Sequence, residues 1–393
     1  MPWKSETVMD QRAEFVVRAK ARDVSMSKLC KQFGVSRPTG YLWLKRYEES
    51  GSVVGLKEHS RRPHESPAKT GDELENKVVE MRREKGWGAR KIQVLLARQG
   101  HELAAATIHR ILIRRGLIEP DPADRHATKR FERSECNQMA QMDFKGEYQV
   151  REGKCYPLSF LDDHSRYLIG LWPLESTNTQ GVQQSLKGRF QESGVPESIL
   201  TDHGSPWFST TNGHGLTRLS VWLIKQGITL KFSGIRHPQT HGKVERFHRT
   251  LKARTKHRGL PETLDEWQRW APEFINEYNY ERPHEAIGMK VPGEVYTLDN
   301  LRPYQENPSE WEYTGGTVKR LNTQGKLYYR SQHYFVCEAL ASEWVRLDEL
   351  ERKLVVTFRH TTVREINLQT GSSIPVVLEA GKKLQVDLLD ARI

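Results

Sequence analysis

Residues 233–252 read SGIRHPQTHGKVERFHRTLK, and they predict a long basic helix that runs from Thr240 to about His257. Apolar side chains recur there at helical spacing and form the stripe expected to face the core, at Val244, Phe247 and Leu251. A neighbouring stripe carries one acid and two bases, Glu245, Arg249 and Lys252. A carboxylate beside basic side chains is suited to share a metal ion while the bases bind phosphate groups.

Two more carboxylates precede this helix on predicted strands. Asp143 lies in an alternating strand at 139–144, and Asp202 follows a short strand at 198–201. Carboxylate oxygens are the ligands that Mg²⁺ and Mn²⁺ prefer, and two such ions about 3.5–4 Å apart catalyse in-line phosphoryl displacement. The 50 acidic residues make accidental triples easy, so a surface ion pair is the alternative interpretation for each acid.

Residues 136–300 around these acids have the pattern of an α/β domain. Three strands come first, at 139–144, 156–161 and 167–174, with a tight turn at 162–165 between the last two. Helices and strands then alternate, with helices at 177–193, 216–226, 240–257 and 264–280 and strands at 198–201 and 228–232. Three antiparallel strands followed by this alternation predict a mixed five-stranded sheet.

Residues 1–56 predict a helix-turn-helix domain. One amphipathic helix spans about 9–21, a second spans 25–33, and a third begins at Arg37 with Ser36 as its N-cap. Two helices joined by a glycine-containing turn are the layout of this DNA-binding motif. The third helix is expected to present four side chains to a major groove, Arg37, Thr39, Lys45 and Arg46. A small three-helix core of another function gives the same pattern and is the alternative.

A linker at residues 57–71 leads to a second helical domain at residues 72–118. Arg61 and Arg62 in the linker suit an extended arm in a minor groove, and a solvated spacer is the equal alternative. Helices are predicted at 72–85, at 89–99 and from a cap at Thr107 to Arg115. The last helix carries the DNA contacts expected of this domain, Thr107, His109, Arg110 and Arg114. Residues 119–135 form a second linker.

Residues 310–393 predict a small β-barrel. Five short strands, at 317–321, 326–329, 333–336, 344–347 and 354–358, are separated by turn residues. The aromatic residues of this region are expected mostly in its core, with a nucleic-acid surface as the alternative: Trp311, Tyr313, Tyr328, Tyr329, Tyr334, Phe335 and Trp344.

Charge and composition favour a nucleic-acid-binding protein and argue against a membrane or secreted one. The chain has 393 residues and a formal net charge of +11, and residues 1–134 alone hold 28 basic and 18 acidic side chains. Such a basic module is the electrostatic footprint of phosphate-backbone binding, although a solvated surface gives the same count. No apolar run approaches the ~20 residues of a membrane span and no secretory signal is visible, so we expect a cytoplasmic protein. The four cysteines are far apart, which argues against disulfides and a cysteine zinc site.

Taken in order, the motifs resemble those of bacterial insertion-sequence transposases with a retroviral-type integrase core. The helix at 233–252 is similar to the signature helix of that family. Four shorter segments match its other motifs: QMDF at 141–144, LDDHSR at 161–166, LTDHG at 200–204 and YNYERPH at 278–284. Tandem helix-turn-helix domains and a small C-terminal barrel resemble the family as well. His203 is a departure, because the family usually has asparagine there.

The resemblance implies a ribonuclease H-like fold with a DDE triad. Asp143, Asp202 and Glu245 would be the catalytic residues and would bind two Mg²⁺ or Mn²⁺ ions, with no zinc. Lys252 matches the family's basic position for terminal DNA, and the other DNA contacts expected on this helix are Arg249, Arg246 and Lys243. Asp162 and Asp163 match a structural turn.

The activity implied is that of a DNA transposase. It would cleave 3′ ends at the element's inverted repeats and join them to target DNA, as a homodimer or larger assembly on double-stranded DNA at the nucleoid. A retroelement integrase is a weaker alternative, because no paired His and Cys ligands at zinc spacing precede the core. A catalytically silent or domesticated DNA-binding protein is the non-enzymatic alternative.

Overall fold

The chain divides into two units, residues 1–71 and 72–393. The computed structural model describes residues 7–58, 69–118, 132–209, 215–233 and 242–377. The predicted linker arginines, Arg61 and Arg62, lie outside the described residues, as do most of the linker at 119–135 and the predicted helix start at Thr240.

The first unit contains the three predicted helices, α1 (Val8–Ala21), α2 (Met26–Gln32) and α3 (Arg37–Ser50). Ser36 caps α3, because its side chain accepts a hydrogen bond from the backbone N–H of Thr39. Gly40 of α3 packs closely against Cys30 of α2: a Cβ at Gly40 would lie 2.6 Å from the Sγ atom of Cys30. The predicted helix-turn-helix arrangement of these residues is confirmed.

The second unit begins with three more helices, α4 (Asp72–Lys85), α5 (Ala89–Arg98) and α6 (Ala105–Arg114). Their apolar stripes meet in one core that contains Val78, Ile92 and Ile108. The predicted cap at Thr107 is wrong, because α6 begins two residues earlier at Ala105. Alanine is the best helix former, so the helix extends back through this alanine-rich start.

The central sheet holds six connected strands, one more than predicted. They are β1 (Ala140–Phe144), β2 (Tyr148–Val150), β3 (Gly153–Asp162), β4 (Leu168–Leu174), β5 (Ser198–Thr201) and β8 (Thr229–Phe232). The main path runs β4-β3-β1-β5-β8, with the first three strands antiparallel and the last two parallel to β1. The extra strand forms because β3 begins before the predicted residue and pairs its first residues with β2. A separate pair, β6 (Phe208–Ser209) and β7 (Gly215–Leu216), lies outside this sheet.

Helices cover both faces of the sheet. Helices α7 (Thr179–Ser193) and α8 (Arg218–Lys225) pack on the face that carries residues such as Phe160. Helices α9 (Gly242–Arg258) and α10 (Leu264–Asn276) pack on the other face, beside Leu161. Neighbouring residues of β3 thus enter different cores, as strand alternation requires. This mixed sheet between helices is the α/β core that the sequence predicts.

Helix α10 continues into a π-helical turn, Glu277–Glu281, that ties it to the sheet. The Asn279 side chain is fully buried and pairs with both backbone groups of Leu168. Its Oδ1 accepts from the Leu168 N–H at 2.8 Å, and its Nδ2 donates to the Leu168 carbonyl at 3.0 Å. One amide side chain therefore satisfies the backbone at the start of β4.

Up to residue 377, where the described part ends, the C-terminal region has seven strands: β9 (Thr317–Arg320), β10 (Lys326–Tyr329), β11 (Gln332–Phe335), β12 (Trp344–Leu350), β13 (Lys353–Phe358), β14 (Thr361–Asn367) and β15 (Ser373–Pro375). The predicted closed barrel is not confirmed. Five strands form an open antiparallel sheet in the order β15-β14-β13-β12-β9, and β10 and β11 form a separate hairpin. The two strands that the sequence analysis missed, β14 and β15, extend the sheet on one side instead of closing it.

The aromatic residues of this region divide between core and surface. Tyr334 is buried, but Trp311, Tyr328 and Trp344 are 42%, 54% and 51% exposed. The expectation that these rings mostly fill the core is therefore wrong for the three exposed ones. None of the helices among the described residues has both the length and the apolar character that a bilayer crossing requires.

Replacing Asn279 with alanine tests the bond between α10 and the sheet. The change leaves the buried N–H and C=O groups of Leu168 without their side-chain partner, so the free energy of unfolding should fall by about 2–4 kcal/mol. Urea unfolding measures the loss. The control is Asn276→Ala, an exposed residue three positions earlier, which should change stability by less than about 0.5 kcal/mol. Equal effects of the two changes would contradict the assigned role.

Candidate active site

The three predicted acids come from three different elements of the second unit. Asp143 lies in β1, Asp202 directly follows β5, and Glu245 lies in the first turn of α9. In the parallel pairing of β1 with β5, Gln141 is opposite Leu200. Each aspartate comes two residues later on its own strand, so both leave the sheet at the same edge. Asp202 and Glu245 are exposed, and Asp143 is partly buried.

The negative charges of the other two predicted acids act on Asp143. Burial raises the pKa of Asp143 to about 7, and the negative charges of Asp202 and, more weakly, Glu245 act in the same direction. The Phe144 N–H and the Lys145 ammonium only partly oppose this increase. Because like charges nearby raise a carboxyl pKa, the site has an unbalanced negative charge that a cation would relieve.

The donor set fits a divalent cation in its chemistry. Three carboxylates supply only oxygen ligands, which Mg²⁺ and Mn²⁺ prefer. Within the described ranges, no three His, Cys, Asp or Glu side chains are grouped closely enough to hold a metal ion. The charges of Asp202 and Glu245 therefore act on Asp143, but the three carboxylates do not form a complete metal-binding site in this conformation.

Two contacts shape the Asp202 turn. The Gly204 N–H donates a 3.0 Å hydrogen bond to the Asp202 carboxylate. A Cβ at Gly204 would lie 3.0 Å from Asp202 Oδ2, so a larger residue there would crowd the carboxylate. The His203 ring packs against Phe208 and Phe232, each with ring centroids 5.3 Å away.

His248 is a site residue that the sequence analysis missed. Its Nδ1 lies 3.8 Å from the Asp143 carboxylate, and its Nε2 is 2.9 Å from the Ser159 hydroxyl on β3. The His248 ring is almost fully buried, so its position beside the Asp143 carboxylate is fixed by packing. Its spacing of three residues from Glu245 on a helix was the available signal, since such residues share a face.

A buried polar network anchors α9 beside β1. The Gln141 side chain donates to Asp163 at 2.8 Å and accepts from the Val244 N–H at 3.2 Å. Asp163 also accepts from the Arg133 N–H and forms a 2.5 Å ion pair with Lys243. These contacts fix the first turn of α9, which carries Glu245, to the strand that carries Asp143.

The same network corrects the interpretation of Lys243. Its ammonium contacts both the carboxylate and the carbonyl of Asp163, which is completely buried. A cation bound in this way is part of the fold and is not presented to DNA as predicted. Asp162 is also buried, and its carboxylate accepts from Asn137 and Ser165, in agreement with a structural turn.

The other predicted basic residues of α9 lie on the surface. Arg246, Arg249 and Lys252 are exposed, and within the ranges that the structure describes they make no ion pair with an acid. Their positions on the helix bearing Glu245 place positive charge next to the acids.

The predicted DNA contacts of the first unit lie on α3. Arg37 and Lys45 are exposed, and Thr39 is partly buried with its hydroxyl 2.8 Å from that of Ser36. The Arg46 guanidinium stacks over the Trp43 ring. Two apolar side chains of the same helix, Tyr41 and Leu42, are exposed as well, at 57% and 46%.

The predicted DNA contacts of the second helical domain fall into two groups. His109 and Arg110 are exposed on α6, and Arg110 donates to the Thr107 hydroxyl. Arg114 instead donates to Glu75, which is 1% exposed. The guanidinium of Arg114 neutralises this buried carboxylate, but its side chain is 34% exposed, so its DNA contact stays a prediction.

Comparison with protein families identifies the domains. Integrase core domain models match residues 133–238 and 226–292, a helix-turn-helix model matches residues 11–64, and a homeodomain-like model matches residues 39–112. The chain combines helix-turn-helix domains with an integrase core. The integrase core is a DDE polynucleotidyl transferase fold, so the enzyme class expected from the sequence is confirmed.

Individual relatives are distant. The insertion element IS407 uncharacterized 31.7 kDa protein of Burkholderia multivorans is 22% identical over 249 residues, which are 62% of this chain and 87% of the relative. Two solved structures are also similar. A simian T-cell lymphotropic virus intasome in complex with PP2A regulatory subunit B56 gamma has a TM-score of 0.38 at 12% identity, covering 77% of this chain and 100% of that one. The HTLV-2 integrase catalytic core domain in complex with magnesium has a TM-score of 0.32 at 14% sequence identity. The match covers 41% of this chain and 97% of that one.

Lys243→Met tests the assignment of this lysine to the fold of the integrase core. The change leaves the buried Asp163 carboxylate without its cation, so the free energy of unfolding should fall by about 3 kcal/mol. The control on the same helix is Lys252→Met, which removes an exposed cation and should cost less than about 0.5 kcal/mol. Both values come from urea unfolding. A neutral Lys243→Met change would restore this residue to the DNA-binding surface.

Proposed function

We propose that the protein is the transposase of an insertion sequence, and that it cleaves the 3′ ends of its element and joins them to target DNA. Asp143, Asp202 and Glu245 are the catalytic residues. The observation that carries this proposal is that Asp143 and Asp202 leave the sheet at the same edge and that the charges of Asp202 and Glu245 both raise the pKa of Asp143. The helix-turn-helix domains and the integrase core supply the context in which such a site acts on DNA.

The three carboxylates would together hold two Mg²⁺ or Mn²⁺ ions. Such ions, when bound, supply activation of the attacking oxygen and stabilisation of the leaving oxygen in an in-line displacement at phosphorus. The protein's own contribution is positioning. Gln141 and Asp163 fix the turn that carries Glu245, and His248 holds the buried side of Asp143.

Recognition of the element ends is assigned to the helical domains. Helix α3 would enter a major groove through Arg37 and Lys45, with the exposed Tyr41 between them on the same face. Helix α6 would add contacts from His109 and Arg110. On the core, Arg246, Arg249 and Lys252 would bind the sugar–phosphate backbone next to the acids. Two ends are joined in one reaction, so we propose a homodimer or larger assembly on DNA at the nucleoid.

Conservative changes of the three acids test the catalytic assignment. Asp143→Asn, Asp202→Asn and Glu245→Gln should each lower the rate of Mg²⁺-dependent 3′-end cleavage at least about 100-fold, because each removes one charged ligand at the transition state. The substrate is a duplex that carries the inverted repeat flanking the protein's own gene. Affinity for this duplex should stay within about threefold of that of the parent protein.

The matched control is Glu273→Gln, an exposed acid on α10, which should leave cleavage unchanged. A folded Asp143, Asp202 or Glu245 variant with parental cleavage would remove that residue from the catalytic set. If the parent protein protects the inverted repeat in a footprint and never nicks it with Mg²⁺ or Mn²⁺, the protein is a catalytically silent DNA-binding protein instead.

A further inference from the structure

A cleft of about 690 Å³ separates the second helical domain from α9 of the core. One wall comes from the end of α4, the following turn and α5, and the other comes from α9 and the segment after α10. The walls are docked by direct contacts: Arg254 donates to the Glu84 carbonyl at 2.9 Å, and the His257 ring lies 2.7 Å from the Arg83 carbonyl. The cleft is thus a built feature of the second unit.

Basic side chains dominate the lining of this cleft, and some of them are neutralised within the protein. Arg254 forms a buried ion pair with Glu277, the carboxylate in the lining. Lys85 pairs with Glu281 at 2.7 Å. Arg82 donates to backbone carbonyls, including that of Trp87 at 3.0 Å. These contacts hold the cleft together, and Glu277, the acid in its lining, is used to neutralise Arg254.

Three of the remaining cations of the lining form the cluster considered next. Within the described ranges, Lys91, Arg246 and Arg282 form no ion pair at salt-bridge distance. The side-chain hydrogen bonds of Arg282 go to neutral groups, the Thr250 hydroxyl and the His284 ring, each at 3.3 Å. Positive charges that face one another in a partly buried cleft are unfavourable unless an anion binds between them.

Their mutual repulsion is visible in the acid–base properties of the cluster. The pKa of Lys91 is lowered to about 8, first by burial and then by the positive charge of Arg282. Glu285 opposes this decrease, and Arg246 adds a smaller contribution to it. Burial, Arg282 and Lys91 likewise hold the pKa of His284 far below its usual range. The four groups therefore lie close enough to form one electrostatic site.

We propose that Lys91, Arg246 and Arg282 bind a phosphodiester group of the DNA strand that enters the active site. This inference rests on the proposed function. An ammonium and two guanidinium groups match the charge and the hydrogen-bond acceptors of a phosphate. Arg246 directly follows Glu245, and Arg249 both lines the cleft and shares the helical stripe of Glu245, so a strand held here continues towards the acids.

The site also gives the second helical domain a new role. Lys91 belongs to α5, outside the integrase core, whereas Arg246 and Arg282 belong to the core. A phosphate held by all three would couple the domain that reads DNA to the helix that carries Glu245. Binding would then favour the docked arrangement of the two domains.

The variants Lys91→Gln and Arg246→Gln in the full chain test this site. Each should lower the affinity for the flanking-repeat duplex about tenfold and reduce the slope of log affinity against log salt concentration by about 1, because one phosphate contact is lost. The melting temperature of Lys91→Gln should equal or exceed that of the parent, since an unpaired cation is removed. A lower melting temperature with an unchanged salt slope would show a structural lysine and overturn the proposal.

Two controls separate this inference from the proposed function. Arg269→Gln removes one exposed positive charge from α10, outside the cleft, and should leave the salt slope unchanged. Glu245→Gln should abolish cleavage while keeping the full salt slope. If Glu245→Gln behaves so and Lys91→Gln matches the parent, the phosphate site fails alone. If Lys91→Gln lowers the slope while Glu245→Gln still cleaves, the catalytic assignment fails instead.

Amine labelling identifies the source of the phosphate. An acylating reagent at neutral pH should modify Lys91, because its lowered pKa leaves part of its amine neutral, and mass spectrometry locates the label. The flanking-repeat duplex should reduce labelling of Lys91 at least fivefold, while inorganic phosphate at equal phosphate concentration should not. Equal protection by inorganic phosphate would indicate a site for a free anion and overturn the assignment to DNA, as would absence of protection by the duplex.

Discussion

The ion pair between Lys243 and Asp163 is the contact on which the arrangement of the core depends. Asp163 is completely buried in the turn between β3 and β4, and its carboxylate also accepts from Gln141 of β1. A buried carboxylate must be fully hydrogen-bonded and paired to be tolerated. Satisfying this one charge therefore brings β1, the turn and the first turn of α9 together, and Asp143 and Glu245 lie on those elements.

Helix α9 contributes to two neighbouring sites of opposite charge. Glu245 adds to the negative charge that raises the pKa of Asp143. The next residue, Arg246, adds to the positive charge that lowers the pKa of Lys91. The charge of each site is unbalanced within the protein, so each site suits a ligand of the opposite charge. Departures from local charge balance are typical of functional sites, because the ligand supplies the missing stabilisation.

The comparison of prediction with structure shows which interactions a sequence pattern reveals. The helix at 72–85 and strands β1, β5 and β8 follow from hydrophobic periodicity, and the structure has them within about two residues. Helix α9 ends at Arg258, next to the predicted end at His257. Lys243 and Lys252 were both predicted to contact DNA, but the structure pairs Lys243 with the buried Asp163 and leaves Lys252 exposed. The partner of Arg114 could not be read from the sequence either, because Glu75, which accepts from its guanidinium, lies 39 residues away. The open C-terminal sheet was missed because closure depends on which edge strands pair, and periodicity carries no information about pairing.

By itself, the sequence determined the local elements and the order of the helix-turn-helix domains and the integrase core, and it predicted the three acids, since periodicity, turn residues and linear motifs are short-range properties of the chain. Only the tertiary structure decided which charges are paired. His248 beside Asp143, Lys243 on Asp163, and the uncompensated group of Lys91, Arg246 and Arg282 all join residues from separate elements. A charge acquires its role from burial and from the sign of its neighbours in space, and neither can be read from neighbours along the chain.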